Sequence, residues 1–180
     1  MRRSALSVAL LSLGLIVLGG LGTAQALEIT TFDVVPVNSA CLPEAAGHVT
    51  VFHKEDQLGV DTLHLRASGL PANTDFAVFL TSADAFATPP FGTTSYIGDF
   101  TTNAAGIGSL KVDAIIGEAF VTSVGGNPPA RTRTDLDHLV FWFADPAQVP
   151  ACFNFSGSTP FDGDGNAGPA AMSSQGPTGL

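Results

Sequence analysis

Four histidines, 16 acidic side chains and two cysteines are the chain's stock of metal-ligating and proton-transferring groups. If two adjacent strands pair so that Val49 meets Leu65 and Val51 meets Leu63, His64 lies opposite Thr50 and Arg66 opposite His48. His48 and His64 then become diagonal neighbours on one face, close enough to share an ion. Arg66 beside them opposes a cation and no third ligand is evident, so solvated surface histidines are the favoured reading over a metal site. His53 would face Asp61 at the mouth of the same hairpin, which suits a hydrogen-bonded pair closing the turn better than a general base with its orienting carboxylate. His138 follows Asp135 and Asp137, a grouping that more often marks a strand entrance than a metal site.

Asp162, Asp164 and Asn166 repeat oxygen side chains at every second position, as the first part of an EF-hand calcium loop does. Ala167 occupies the place of the turn glycine, Ser173 stands where the bidentate Glu belongs, and no helical pattern flanks the run. A flexible acidic tail is therefore the leading reading, with a weak calcium site as the alternative. The chain has no His-x-His, no His-Glu-x-x-His and no Cys-x-x-Cys. Gly-x-Ser-x-Gly, the phosphate-cradling Gly-x-x-x-x-Gly-Lys and a helix-entering Gly-x-Gly-x-x-Gly are missing as well. No catalytic residue and no cofactor is expected.

Binding chemistry remains. An exposed Trp or Tyr platform would point to a carbohydrate binder, but Trp142 lies in the most apolar stretch and reads as core, and Tyr96 is the single tyrosine. The candidate contact residues are Phe86 and Phe91 in a long connection from Ser82 to Thr94, with Arg131 and Arg133 in a second from Gly125 to Asp137. The alternative, and the favoured one, is that both rings fold back as a lid over the sheet edge and both arginines are solvated or pair with nearby carboxylates.

The elements that must carry these residues are strands. Periodicity is two almost everywhere after residue 27, and no apolar spacing of helical type persists over three turns. Strands are predicted over Glu28–Val37, Gly47–His53, Asp61–Ser68, Asp75–Leu80, Tyr96–Thr102, Gly106–Ile115, Phe120–Val124 and His138–Phe143. Residues 139–143 run without a polar break, which predicts a central strand covered on both faces. About eight short strands with frequent turn signals predict a single antiparallel β-sandwich, with a partly closed β-barrel as the alternative.

The passage from Gly69 to Val78, Gly-Leu-Pro-Ala-Asn-Thr-Asp-Phe-Ala-Val, resembles the corner between two strands in fibronectin type III and related immunoglobulin-like domains. Their pattern is close to Leu-x-Pro-x-Thr-x-Tyr-x-Val, and here Phe76 takes the place of the corner tyrosine. The whole chain is also similar to uncharacterised exported bacterial β-sandwich proteins. These resemblances imply an immunoglobulin-like architecture and no activity.

The ends set the compartment. Arg2 and Arg3 precede an uncharged run that closes in Ala24-Gln25-Ala26, the layout of a secretory signal peptide over residues 1–26. No lipid attachment and no membrane anchor is expected after its removal. A domain over residues 27–153 and a flexible Gly/Ala/Ser/Pro-rich acidic tail over 154–180 would follow. Removing the leader also removes two of the seven basic residues and leaves all 16 acids. Such a surface repels nucleic acid and anionic lipid. Cys41 and Cys152, an even pair in a chain sent to an oxidising compartment, are expected to form one disulfide. The expected role is a secreted, non-enzymatic module, structural or interacting, with an extracellular protein or glycan as partner. A small-molecule, carbohydrate or calcium binder is the alternative.

Overall fold

A computed structural model describes residues 28–54, 58–88, 90–123, 130–159 and 166–180. The strands in chain order are β1 (Glu28–Pro36), β2 (Ala46–His53), β3 (Asp61–Ser68), β4 (Asp75–Thr81), β5 (Thr94–Thr101), β6 (Gly108–Ala114), β7 (Glu118–Ser123), β8 (Ala130–Asp135), β9 (His138–Phe143) and β10 (Ala170–Ser174). Eight of them form one antiparallel sheet in the order β5-β4-β9-β10-β1-β2-β3-β6, while β7 and β8 pair as a separate ribbon. The expected all-β antiparallel architecture is present, in the nearly closed, barrel-like form.

The two ends of the sheet meet through side chains. A Cβ placed on Gly98 of β5 would lie 3.1 Å from the Leu110 side chain of β6, and one on Gly108 only 2.5 Å from the Phe100 ring. Two glycines at this seam let the end strands approach where larger residues would hold the barrel open.

Alternation fills the interior. Val49 and Val51 of β2, Leu63 and Leu65 of β3, and Phe76, Val78 and Leu80 of β4 are buried in one cluster with Leu139, Phe141 and Phe143 of β9. The register Val49↔Leu65 and Val51↔Leu63 is the one the hydrophobic pattern predicts. Strand β9 lies between β4 and β10, and all six of its residues are buried. Its outward Val140 and Trp142 join Ala77, Phe79 and Ala170 in a second cluster, against which Phe91 and Val37 pack. The unbroken apolar run of β9 is thus explained by cover on both faces.

The corner at residues 69–76 closes without a tyrosine hydroxyl. Thr102 Oγ1 donates to the Pro71 carbonyl at 2.6 Å and accepts from the Thr74 N–H at 2.9 Å. Asn73 takes the left-handed conformation there, and Phe76 is free to be wholly apolar and buried.

Two expectations need correction, and the expected disulfide is present. Residues 154–180 are not simply a tail, because Ala170–Ser174 form β10, buried and hydrogen-bonded between β9 and β1. The chain end returns as well: Thr178 N–H bonds the Asp137 carbonyl at 3.0 Å and Leu180 packs against the core. The connection from Gly125 to Asp137 is not all loop, because Ala130–Asp135 form β8 along β7. Cys41 and Cys152 are disulfide-bonded, with Cα atoms 5.6 Å apart and a sequence separation of 111. No helix among the described residues is long and apolar enough to cross a membrane, and residues 1–26 lie outside the described residues.

Candidate functional site

On the outer face of β2 and β3 the histidines are divided among separate partners. His48 Nδ1 lies 2.8 Å from Asp33 Oδ1, its neighbour across β1. His64 sits edge-on to the Phe52 ring at 5.2 Å, and Arg66 is paired opposite His48. The predicted register is therefore present, but His48 is directed to a carboxylate and His64 to an aromatic ring. At the hairpin mouth His53 Nδ1 meets Asp61 Oδ2 at 3.2 Å while its Nε2 contacts Thr30 Oγ1 at 2.9 Å. The other Asp61 oxygen accepts the Lys54 N–H at 2.6 Å. The His53 to Asp61 pair closes the turn, as the sequence predicts, while His53 Nε2 reaches across to Thr30 of β1. Among the described residues no three His, Cys, Asp or Glu side chains converge. Asp162 and Asp164 lie outside the described residues, and Asn166 is exposed.

The four expected contact residues fall in three environments. Phe86 is exposed at the loop surface. Phe91 is half-buried, its ring 4.9 Å from that of Trp142. Arg131 and Arg133 stand on β8, where Arg131 lies over the Phe120 ring at 5.2 Å and Arg133 pairs with Glu118 at 2.6 Å and Asp135 at 3.4 Å.

A different residue forms the focus of the exposed surface. A register shift in β5 opposite Val78 and Phe79 lets Ile97 and Phe100 both point inward. Tyr96 and Asp99, three apart, would face opposite ways in a regular strand. Here both are exposed, and Tyr96 Oη donates to Asp99 Oδ2 at 2.5 Å. The hydrogen bond to Asp99, then burial, then the Asp99 charge push the phenol up to about 12. The Tyr96 ring is also edge-on to Phe79 at 5.5 Å.

Two hollows flank this ring. One of about 450 Å³ runs over Asp75, Ala77, Asp99 and Thr101. There Asp75 accepts from Thr101 Oγ1 at 2.6 Å and from Gln148 Nε2 at 3.0 Å, two bonds that hold its carboxyl below the ordinary value. The other, about 460 Å³, lies between β5 and the β7–β8 ribbon and is bordered by Thr94, Ser95, Ile115, Glu118 and Phe120. Tyr96, Phe120 and Ile115 are 53%, 49% and 46% exposed, so three of the largest exposed apolar side chains share one cleft. A larger hollow of about 630 Å³ borders Trp142, Phe91 and Phe153, but Trp142 is 1% exposed and is packed as core.

The tyrosine was visible in the sequence as the chain's single one. Its pairing with Asp99 was not, because only the register shift brings the two side chains to one face. No family model matches the chain, and no curated protein or solved structure does.

Proposed function

We propose that the chain is exported and that its domain acts outside the cytoplasm as a non-enzymatic interaction module. The observation that carries this reading is the cleft between β5 and the β7–β8 ribbon. Tyr96, Ile115 and Phe120 are clustered there and open to solvent, whereas Phe76, Phe79, Phe100, Phe141, Trp142 and Phe143 of the sheet are buried. Exposed apolar side chains gathered at one place mark contact sites, while scattered ones need no explanation. The disulfide between Cys41 and Cys152 fits an oxidising compartment, and the leader-like residues 1–26 fit delivery to it.

The test is co-sedimentation of exported protein with the envelope and extracellular insoluble fraction of the producing cells. The native protein should be retained there. Tyr96→Ser combined with Phe120→Ser should release it while the melting temperature stays within a few degrees, because both rings are half exposed. Equal retention of the folded double variant would remove the cleft from the account.

A further inference from the structure

We propose that the outer face of β5 binds an uncharged oligosaccharide, with the Tyr96 ring as stacking platform and the Asp99 and Asp75 carboxylates as acceptors for sugar hydroxyls. The inference rests on the interaction reading above and narrows its partner to a glycan.

A sugar ring offers two kinds of surface, C–H groups on its faces and hydroxyls around its edge. A site for it needs an exposed aromatic face for the first and fixed acceptors for the second, with the aromatic held rigid so that little side-chain freedom is lost on binding. Tyr96 meets the first need. Its ring is more than half exposed, yet it is held at one end by the bond from Oη to Asp99 and along its edge by Phe79. Asp99 and Asp75 meet the second, since an ionised carboxylate accepts through two oxygens and bonds to it are charge-assisted. Asp75 is already oriented by Thr101 and Gln148.

The shape is that of a track for a short chain. The hollows of about 450 and 460 Å³ lie on either side of the one ring, each within the range of about 300–1,000 Å³ usual for small-ligand sites. Hydroxyls of Thr94 and Ser95 continue the polar lining past Tyr96, and Phe120 stands beyond them as a second exposed ring.

Charge selects the class of glycan. Among the described residues neither hollow is bordered by a basic side chain, and Asp75, Asp99 and Glu118 lie along them. Arg133, at the far edge, is paired with Glu118 and Asp135. Uronic, sialic or sulfated sugars would meet the Asp75 and Asp99 carboxylates along β5, the arginines standing only at the ribbon end, where Arg131 lies over Phe120. The same carboxylates disfavour an apolar peptide strand, which would bury them unpaired.

Native affinity electrophoresis of the oxidised mature protein tests this, in gels containing dextran, xylan, a soluble β-glucan or galactomannan, with polygalacturonate as the charged counterpart. At least one neutral polymer should retard the protein and polygalacturonate should not. Tyr96→Phe keeps the platform and should stay within about threefold of the native affinity, whereas Tyr96→Ala should lose about tenfold or more. Asp99→Asn, a surface change, should weaken binding several-fold even if Tyr96→Ala folds poorly. Absence of retardation by every neutral polymer overturns the glycan site, and if envelope retention persists the interaction module stands without it. Retardation equal in native protein, Tyr96→Ala and Asp99→Asn, all folded, likewise overturns it.

Discussion

Phe86 and Phe91 stand in one loop and share a residue type, yet their surroundings assign them opposite roles. Phe91 closes over Trp142 on the outer side of β9, while Phe86 is 45% exposed. Phe91→Ser should therefore cost about 2–3 kcal/mol by loss of a packed aromatic, and Phe86→Ser no more than about 0.5 kcal/mol, read as urea midpoints. Equal costs would mean that the loop is packed differently. At this scale the sequence was most informative where one neighbour decides a residue's fate. The His53 to Asp61 pair follows from hairpin register and is found at 3.2 Å. It was least informative where the partner comes from a distant element. Arg131 and Arg133, which looked like loop cations, are taken up by Phe120 and Glu118 across a ribbon that the pattern did not reveal. The sequence Ala-Arg-Thr-Arg-Thr-Asp of β8 alternates Arg with Thr and carries no apolar face, so hydrophobic periodicity had nothing to report.

Strand boundaries were legible wherever one face is buried. Strands β3 and β9 begin and end where alternation and the apolar run place them, and the β2–β3 register follows from matching Val to Leu. Strand β10 was not legible, because Ala-Ala-Met-Ser-Ser has small side chains apart from Met172, low β propensity and a Gly/Pro-rich approach. Its position explains the composition. It is enclosed between β9 and β1, and its serines serve as buried donors and acceptors: Ser174 Oγ accepts the Leu139 N–H and Ser173 Oγ accepts the Ala85 N–H, both at 3.1 Å. Burial pushes the Asp84 carboxyl up, but N–H donors from Gly176 and Phe86 outweigh it and hold the pKa below the ordinary value, which ties the strand's exit to the same loop. Truncation after Gly168 should consequently abolish cooperative unfolding, since it exposes the ladder edges of both β9 and β1. A truncated protein that melts in a single transition near the native temperature would show that β10 is dispensable.

On the scale of the whole molecule, a barrel-like sheet is closed by glycine-mediated approach at one seam and by a covalent tie between chain segments 111 residues apart. The denatured, unreduced protein should contain no titratable thiol. Reduction should remove on the order of 4–5 kcal/mol by the chain-entropy account, and the melting temperature should fall by on the order of 10 °C. An unchanged melting temperature would mean that the barrel holds without its tie. All-β class and the cysteine pairing could be read from patterning and parity, but curvature and closure depend on Gly98, Gly108 and a register shift whose effect is geometric. That shift is also what turns Tyr96 and Asp99 to one side and creates the exposed cleft on which the proposed role depends. The chain's single tyrosine and single tryptophan make the most direct test available by hydroxyl-radical footprinting of exported protein, purified and then bound to the envelope fraction. The account predicts that Tyr96 is oxidised readily in the purified protein and protected in the bound state, while Trp142 is protected in both. Equal oxidation of Tyr96 in the two states would contradict it.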